Sequence, residues 1–308
     1  MMVEKYKIRT DLAMEQKERF ESDHVEVSGV VLEEEYDEEK EIKITTVRIE
    51  TENGAKAMGK PVGTYLTLEA PNMAAADEGY HREISETLAD FLEKYMKDTE
   101  ENQEKGYSVL VVGLGNREVT PDALGPYVVD QLNVTRHIVQ EYGRYAVGKG
   151  GSRIVSAIVP GVMAQTGMET AEIIQGVVAE TKPDVVVAID ALAARSVRRL
   201  NRTIQITDTG IHPGSGVGNH RNGLTEDNLQ VKVIGIGVPT VVDAATIVHD
   251  SMAHLLDALE EAEQKEFLEE MIAPNLYSMF VTPKDVDETV KYLSFTISEG
   301  LNTAFGEA

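Results

Sequence analysis

The sequence predicts an α/β fold, a mostly parallel central sheet with helices on both faces, plus an antiparallel β-rich N-terminal section. Three observations predict it. Near-continuous apolar runs at 107–112, 184–189 and 231–238 alternate with amphipathic stretches of helical length, the pattern of parallel strands covered on both faces. The first of these runs feeds into a glycine loop and then a second amphipathic segment, so residues 107–132 read as strand, loop, helix. Ahead of them, 25–67 alternates β-formers with charged residues, as strands with one wet face do.

The bulk composition narrows the function. With 308 residues and 42% hydrophobic content, the chain can bury one substantial core. We therefore expect an N-terminal arm at 1–15 and a single α/β domain at 16–308, with a β-rich subdomain at 23–70 inside it. Lys+Arg 29 against Asp+Glu 53 gives a net charge of −24, a field that repels nucleic-acid backbones and acidic membranes. Zero cysteines exclude disulfides, thiolate metal sites and a cysteine nucleophile, and fit a cytoplasmic protein. No run of about 18 apolar residues occurs, and residues 1–18 are charged throughout, unlike a signal peptide. The glycosylation-like triplets at Asn133 and Asn201 are read as chance matches.

Taken in order, the chain opens with an exposed arm or first helix. Residues 25–67 then read as an antiparallel hairpin or meander. Glu52-Asn53-Gly54 is a turn signal there, and the acidic run 33–39 is a solvated tip. Residues 77–97 form a helix with Ile84, Leu88, Phe91, Leu92 and Tyr95 on one side. Strands are expected at 107–112, 153–159, 184–189, 203–206 and 231–238, with helices at 122–133, 168–180 and 242–261. Residues 265–305 read as helices separated by Pro274 and Pro283.

Several motifs fail on inspection. Gly113-Leu114-Gly115 suggests a dinucleotide loop, but Glu118 stands where the third glycine belongs and would repel a pyrophosphate. Residues 143–150 have phosphate-loop spacing but end in Gly150 where a magnesium-binding hydroxyl is needed. Ser215 lies outside any nucleophile-elbow pattern. His212 and His220 share a glycine-rich loop without zinc-site spacing, so no cofactor and no metal is assigned.

Two carboxylates fit chemistry better. Thr120 is placed to cap the helix after the glycine loop, with Pro121 at its first position, so Asp122 falls in the first turn. The helix dipole there favours an ionised carboxylate. Acidic residues are common in first turns for that reason alone, which is the competing structural explanation. Asp190 ends the apolar run 185–189, where desolvation favours the neutral acid, and its competing explanation is a helix cap. One ionised and one protonated carboxyl at neighbouring strand ends suit amide hydrolysis. The first activates water, and the second donates to the carbonyl oxygen and then the leaving amine. Loops 209–221 and 235–240 can close over the same edge. From these loops Gly113, Asn116, His212, Ser215 and Gly237 are candidate substrate-binding positions, and Thr240 is a possible cap for the helix that follows.

Residues 6–15 (YKIRTDLAME), 113–126 (GLGNREVTPDALGP), 190–196 (DALAARS), 210–219 (GIHPGSGVGN) and 235–243 (GIGVPTVVD) together resemble the germination protease family, also called spore proteases, over essentially the whole chain. That resemblance implies an endopeptidase that degrades small acid-soluble spore proteins at germination. It implies a homotetrameric zymogen that removes its own N-terminal propeptide, an atypical aspartic-type peptidase, and a fold like the hydrogenase maturation endopeptidases. It places the two catalytic aspartates at Asp122 and Asp190, and the protein in the developing spore and spore core. Only Met1 to Lys5 precede the Tyr6 segment, so the propeptide is expected to be short or its boundary shifted. Thr10-Asp11-Leu12-Ala13-Met14-Glu15 resembles the acidic, apolar, small, acidic pattern that the family cuts. Self-cleavage is thus expected near Lys5-Tyr6 or at Asp11-Leu12.

Competing functions are a metal-assisted peptidase using the same aspartates, with His212 or His220 added; a peptidyl-tRNA hydrolase, suggested by 111–116 but opposed by the net charge; and a module that binds peptide without turnover. Neither direct nucleic-acid binding nor membrane association is expected.

Overall fold

The computed structural model describes residues 10–22, 27–74, 78–97, 107–147, 153–212, 222–248, 251, 276 and 279–306. Nine strands make one sheet: β1 (Val30–Asp37), β2 (Ile42–Ile49), β3 (Gly63–Glu69), β4 (Ser108–Gly113), β5 (Ile154–Ile158), β6 (Val185–Ala194), β7 (Thr203–Thr207), β8 (Lys232–Asp243) and β9 (Phe280–Val281). Their order is β1-β2-β3-β7-β8-β6-β4-β5, with β9 paired to β8. The helices are α1 (Ala13–Ser22), α2 (Glu52–Met58), α3 (Glu78–Lys97), α4 (Leu124–Asp130), α5 (Arg136–Tyr142), α6 (Met163–Thr166), α7 (Thr170–Thr181), α8 (Glu226–Leu229) and α9 (Val286–Phe305). Among the described residues no helix is long and apolar enough to cross a membrane.

The sheet changes character at β8. On one side, β8, β6, β4 and β5 run parallel. On the other, β7, β3, β2 and β1 pair antiparallel. The expected parallel strands and the expected antiparallel N-terminal section are both present, joined in one sheet; what changes is β7, which joins the antiparallel side, so the sheet is half parallel instead of mostly parallel. The residues between Ala194 and Thr203 hold only a 3-10 turn, too short a link for the crossover that parallel pairing needs, so β7 enters reversed.

In the parallel half each strand alternates its side chains between two helix layers. Val109, Val111, Val185, Val187 and Ile234 pack in one cluster with Leu88, Leu124, Leu293 and Ile297. Leu110, Val112, Val186 and Val233 face the other way, onto Ala171, Ile174 and Leu229. Burial on both faces is why these strands read as continuous apolar runs.

Several local expectations change. Glu52-Asn53-Gly54 opens α2 instead of a turn: Thr51 Oγ1 accepts the Gly54 N–H at 3.1 Å, and Gly59 ends the helix in the left-handed conformation at φ 64. Of the acidic run, Glu33 to Asp37 belong to β1, and only the residues after them turn. Their charges are spread along a wet strand, with Glu33 paired to Arg48 and Glu34 to Lys43 across β1 and β2. The N-terminal arm is not exposed where it is described: Leu12 and Ala13 are fully buried and Met14 is 1% exposed, packed with Met58, Tyr65, Leu192 and Leu200. Covering Leu12 and Met14 contributes roughly 1.5–3 kcal/mol each. The expected helix at 242–261 begins after Asp243, since β8 continues to that residue, and beyond Val248 only Ser251 of it is described, also as helix. In the C-terminal stretch, α9 accounts for the part after Pro283, whereas Pro274 lies outside the described residues.

Candidate active site

The second halves of β6 and β8 and the turn that follows the glycine loop after β4 line a cavity of 380 Å³. Asp122 and Asp190 both line it, together with Asp11, Lys60, Gln205 and His212.

Asp122 does not sit on the helix that the sequence suggested. Thr120–Asp122 form a separate 3-10 turn with no side-chain cap, and α4 begins two residues later at Leu124. Thr120 is inside that turn, not its cap. The close approach of the loop to the turn explains the change. A Cβ on Gly115 would lie 1.9 Å from the Asp122 carbonyl oxygen, and Gly115 has φ 113, so only glycine fits. The Asn116 N–H consequently reaches both the Asp122 carbonyl oxygen (3.1 Å) and its Oδ2 (2.8 Å), which fixes the carboxylate.

Asp190 lies inside β6, not beyond its end. The strand continues to Ala194, with Asp190 paired opposite Gly237 of β8. Asp190 is 7% exposed, and its Oδ1 accepts the Ala191 N–H at 3.0 Å. The cap role is filled elsewhere, by Asp243, whose Oδ1 accepts the N–H groups of Ala245 (2.8 Å) and Thr246 (3.3 Å).

Two contacts bring the carriers of the aspartates together. The Leu114 N–H donates to the Ile189 carbonyl at 2.8 Å, joining the glycine loop to the residue before Asp190. The Thr240 hydroxyl donates to the Pro121 carbonyl at 2.6 Å, joining β8 to the turn before Asp122. Thr240 is thus a strand residue and no helix cap. The register of β6 on β8 shifts between Leu192 and Ala193, where Thr240 is the extra residue, and such a bulge re-aims its side chain.

The opposite wall comes from the antiparallel half. Lys60, in the loop after α2, donates from Nζ to the Asp11 carbonyl at 2.7 Å. Burial pushes its ammonium pKa down, against the pull of Asp11 and Glu15. Burial, and then the Lys60 charge, lowers His212. Burial raises the Tyr65 phenol to about 12, so it is a neutral hydrogen-bonding group on this wall. Carboxyls that share a cavity with an imidazole and an amine can move protons to and from a bound amide.

Of the other predicted positions, Gly237 and His212 line the cavity; outside it, Asn116 holds the Asp122 turn and Gly113 packs against the α4 backbone at Gly125. Leu12 is buried beside the cavity in the arm. Lys5, Tyr6, Ser215 and His220 lie outside the described residues. Among the described residues there is no group of three or more His, Cys, Asp or Glu side chains placed to hold a metal ion. Sequence reasoning missed Lys60, Tyr65, Gln205 and Thr209. The signal available for the first was the Gly59-Lys60-Pro61 break after an amphipathic stretch, which marks a shaped loop.

Comparison with known proteins gives the family. The germination protease family matches residues 8–260. The chain is 46% identical to a germination protease of Caldanaerobacter subterraneus subsp. tengcongensis, over 96% of this chain and 94% of that protein. It is 43% identical to one of Clostridium perfringens (97% and 95%) and 40% identical to one of Bacillus subtilis (99% and 95%). With its two motif aspartates on one cavity and relatives matched nearly end to end, the chain belongs to the germination protease family of peptidases.

Proposed function

We propose that this peptidase degrades small acid-soluble spore proteins by two-aspartate acid-base hydrolysis. The supporting observation is that Asp122 and Asp190, from separate elements, line the same cavity. The ionised member takes a proton from water as the water attacks the peptide carbonyl, and the protonated member gives its proton to the leaving nitrogen. The chain acts as a self-activating zymogen, with residues 1–15 as the N-terminal arm that carries the propeptide and 16–308 as the catalytic domain. Self-cleavage falls at Asp11-Leu12, the alternative near Lys5-Tyr6 lying outside the described residues. The position of Asp11 on the cavity wall favours this choice. The working form is a homotetramer in the developing spore and spore core, with a fold related to the hydrogenase maturation endopeptidases.

The test is to incubate the chain with a purified small acid-soluble spore protein and follow the products by mass. Discrete cuts on the carboxyl side of an acidic residue followed by an apolar one are expected. Tight binding without turnover would overturn the reading.

A further inference from the structure

The arm is seated in the cavity wall as a peptide would be. The Asp11 N–H donates to the Ala193 carbonyl at 2.9 Å, and Asp11 Oδ2 accepts the Ala193 N–H at 2.9 Å. Farther along, the Glu15 carboxylate accepts the N–H groups of Arg195 (2.8 Å) and Ser196 (3.0 Å) and faces Arg199 Nε at 3.3 Å. Between these anchors the Ala13 N–H donates to Gln205 Oε1 at 2.8 Å. The Asp11 carbonyl oxygen meets side chains instead of backbone. It accepts from Lys60 Nζ at 2.7 Å and from Gln205 Nε2 at 3.2 Å. Those donors come from the loop after α2 and from β7, and both line the cavity that holds Asp122 and Asp190.

We propose that Lys60 and Gln205 form the oxyanion site for self-cleavage of the Asp11-Leu12 bond, a reading that rests on the two-aspartate mechanism above. Water adds its oxygen to the Asp11 carbonyl carbon and gives a proton to the ionised aspartate. The carbonyl π pair moves onto the oxygen, where the Lys60 ammonium and the Gln205 amide hold the new charge. The carbonyl then re-forms as the C–N bond breaks, and the Leu12 nitrogen takes the proton of the second aspartate. The products are a Leu12 amine and an Asp11 carboxylic acid, which then ionises by giving its remaining proton to solvent. With both donors on the carbonyl oxygen, the protonated aspartate need serve only the leaving nitrogen. Donors fixed in a water-poor site before reaction are worth more than the same groups in water.

The test is the first-order rate of self-cleavage of the full chain, with the new N-terminus identified by mass. The wild-type product should start at Leu12, at a rate independent of protein concentration. Lys60→Met should slow it about 10²- to 10³-fold. Gln205→Glu keeps the acceptor for Ala13 but replaces the donor with a repelling charge, and should slow it at least about 10²-fold. Glu15→Gln loosens the arm without touching the Asp11 carbonyl and should cost less than about tenfold. A lysine that only anchors the arm would give Lys60→Met and Glu15→Gln the same loss, and that result overturns the proposal. So do rates within about threefold of wild type in Lys60→Met or Gln205→Glu, a difference too small for a lost oxyanion donor. A wild-type chain that keeps residues 1–11, or a rate that rises with protein concentration, also overturns it. If Lys60→Met does not fold, the near-isosteric Gln205→Glu decides. Wild-type rates in Asp122→Asn and Asp190→Asn would instead sink the two-aspartate reading. Inactive aspartate variants beside an active Lys60→Met would sink this proposal alone.

Discussion

The parallel and antiparallel halves of the sheet carry polar groups in different ways. In the parallel half, β4 and β6 bury an almost unbroken apolar series, and Asp190 is the one ionisable side chain within β6. In the antiparallel half, β2, β3 and β7 bury Thr45, Thr67, Thr203, Gln205 and Thr207 among their apolar residues. The first half is a rigid mount for two carboxyls. The second is a polar wall whose members reach across to the arm, as Gln205 does. The cavity forms where the two meet, along β8.

The largest effect that tests this contrast is on the acids. Asp190→Asn should lower peptide cleavage about 10³-fold or more while leaving the melting temperature unchanged, because the strand stays intact. Asp243→Ala should do the reverse, losing about 1 kcal/mol of stability as a helix cap and little turnover. Denaturant melts and initial rates on both variants check this. Similar behaviour of the two acids would erase the distinction.

A smaller effect follows from the tight joint behind the aspartates. A Cβ on Gly125 would lie 2.4 Å from the Leu114 carbonyl oxygen and 2.6 Å from that of Ile189, so backbone must move. Gly125→Ala should destabilise by about 1–3 kcal/mol and reduce activity together, since Ile189 precedes Asp190. Unfolding curves that overlay wild type would show that the joint yields freely.

The polar wall should respond in the opposite direction. The Thr67 hydroxyl is buried with no hydrogen-bond partner among the described residues. Thr67→Val should therefore be neutral or stabilising by up to about 1 kcal/mol, as measured by denaturant midpoint. A clear loss would mean that the hydroxyl is satisfied after all.

The smallest effect is a pH dependence. His212 has an ordinary value of 6.5, which burial and the Lys60 charge lower in the fold. Its neutral form is the one the fold prefers. The contribution is therefore complete above 6.5 and is lost as pH falls through the lowered value. His212→Gln should lose less stability than wild type on acidification below 6.5, in thermal melts across that range. Parallel curves would remove His212 from the account.

The same contrast explains what could be read from the chain. Strands buried on both faces announce themselves as apolar runs, so β4, β6 and β8 were legible, as were the amphipathic helices α3 and α7; the half-buried edge strand β5 was legible from its β-formers, and the two acids singled out beside the runs, Asp122 and Asp190, come to one cavity. The antiparallel half was legible as β-structure but not in its contacts. Gln205 meets Asp11 across 194 residues and Lys60 meets it across 49, and no local pattern encodes such partners. The turn carrying Asp122 was missed because it depends on Gly115 folding back on the Asp122 carbonyl within one loop, a close approach that residue propensity does not report. The length of β6 past Asp190 was missed because it depends on pairing with β8.

The central claim is that Asp122 and Asp190 act as one unit, and a double-mutant cycle on kcat for cleavage of a spore-protein peptide tests it most directly. If they work as a pair, the Asp122→Asn, Asp190→Asn double variant loses about as much as either single variant, roughly 10³-fold. Losses that multiply, giving roughly 10⁶-fold in the double variant, would mean two independent groups and would contradict the account.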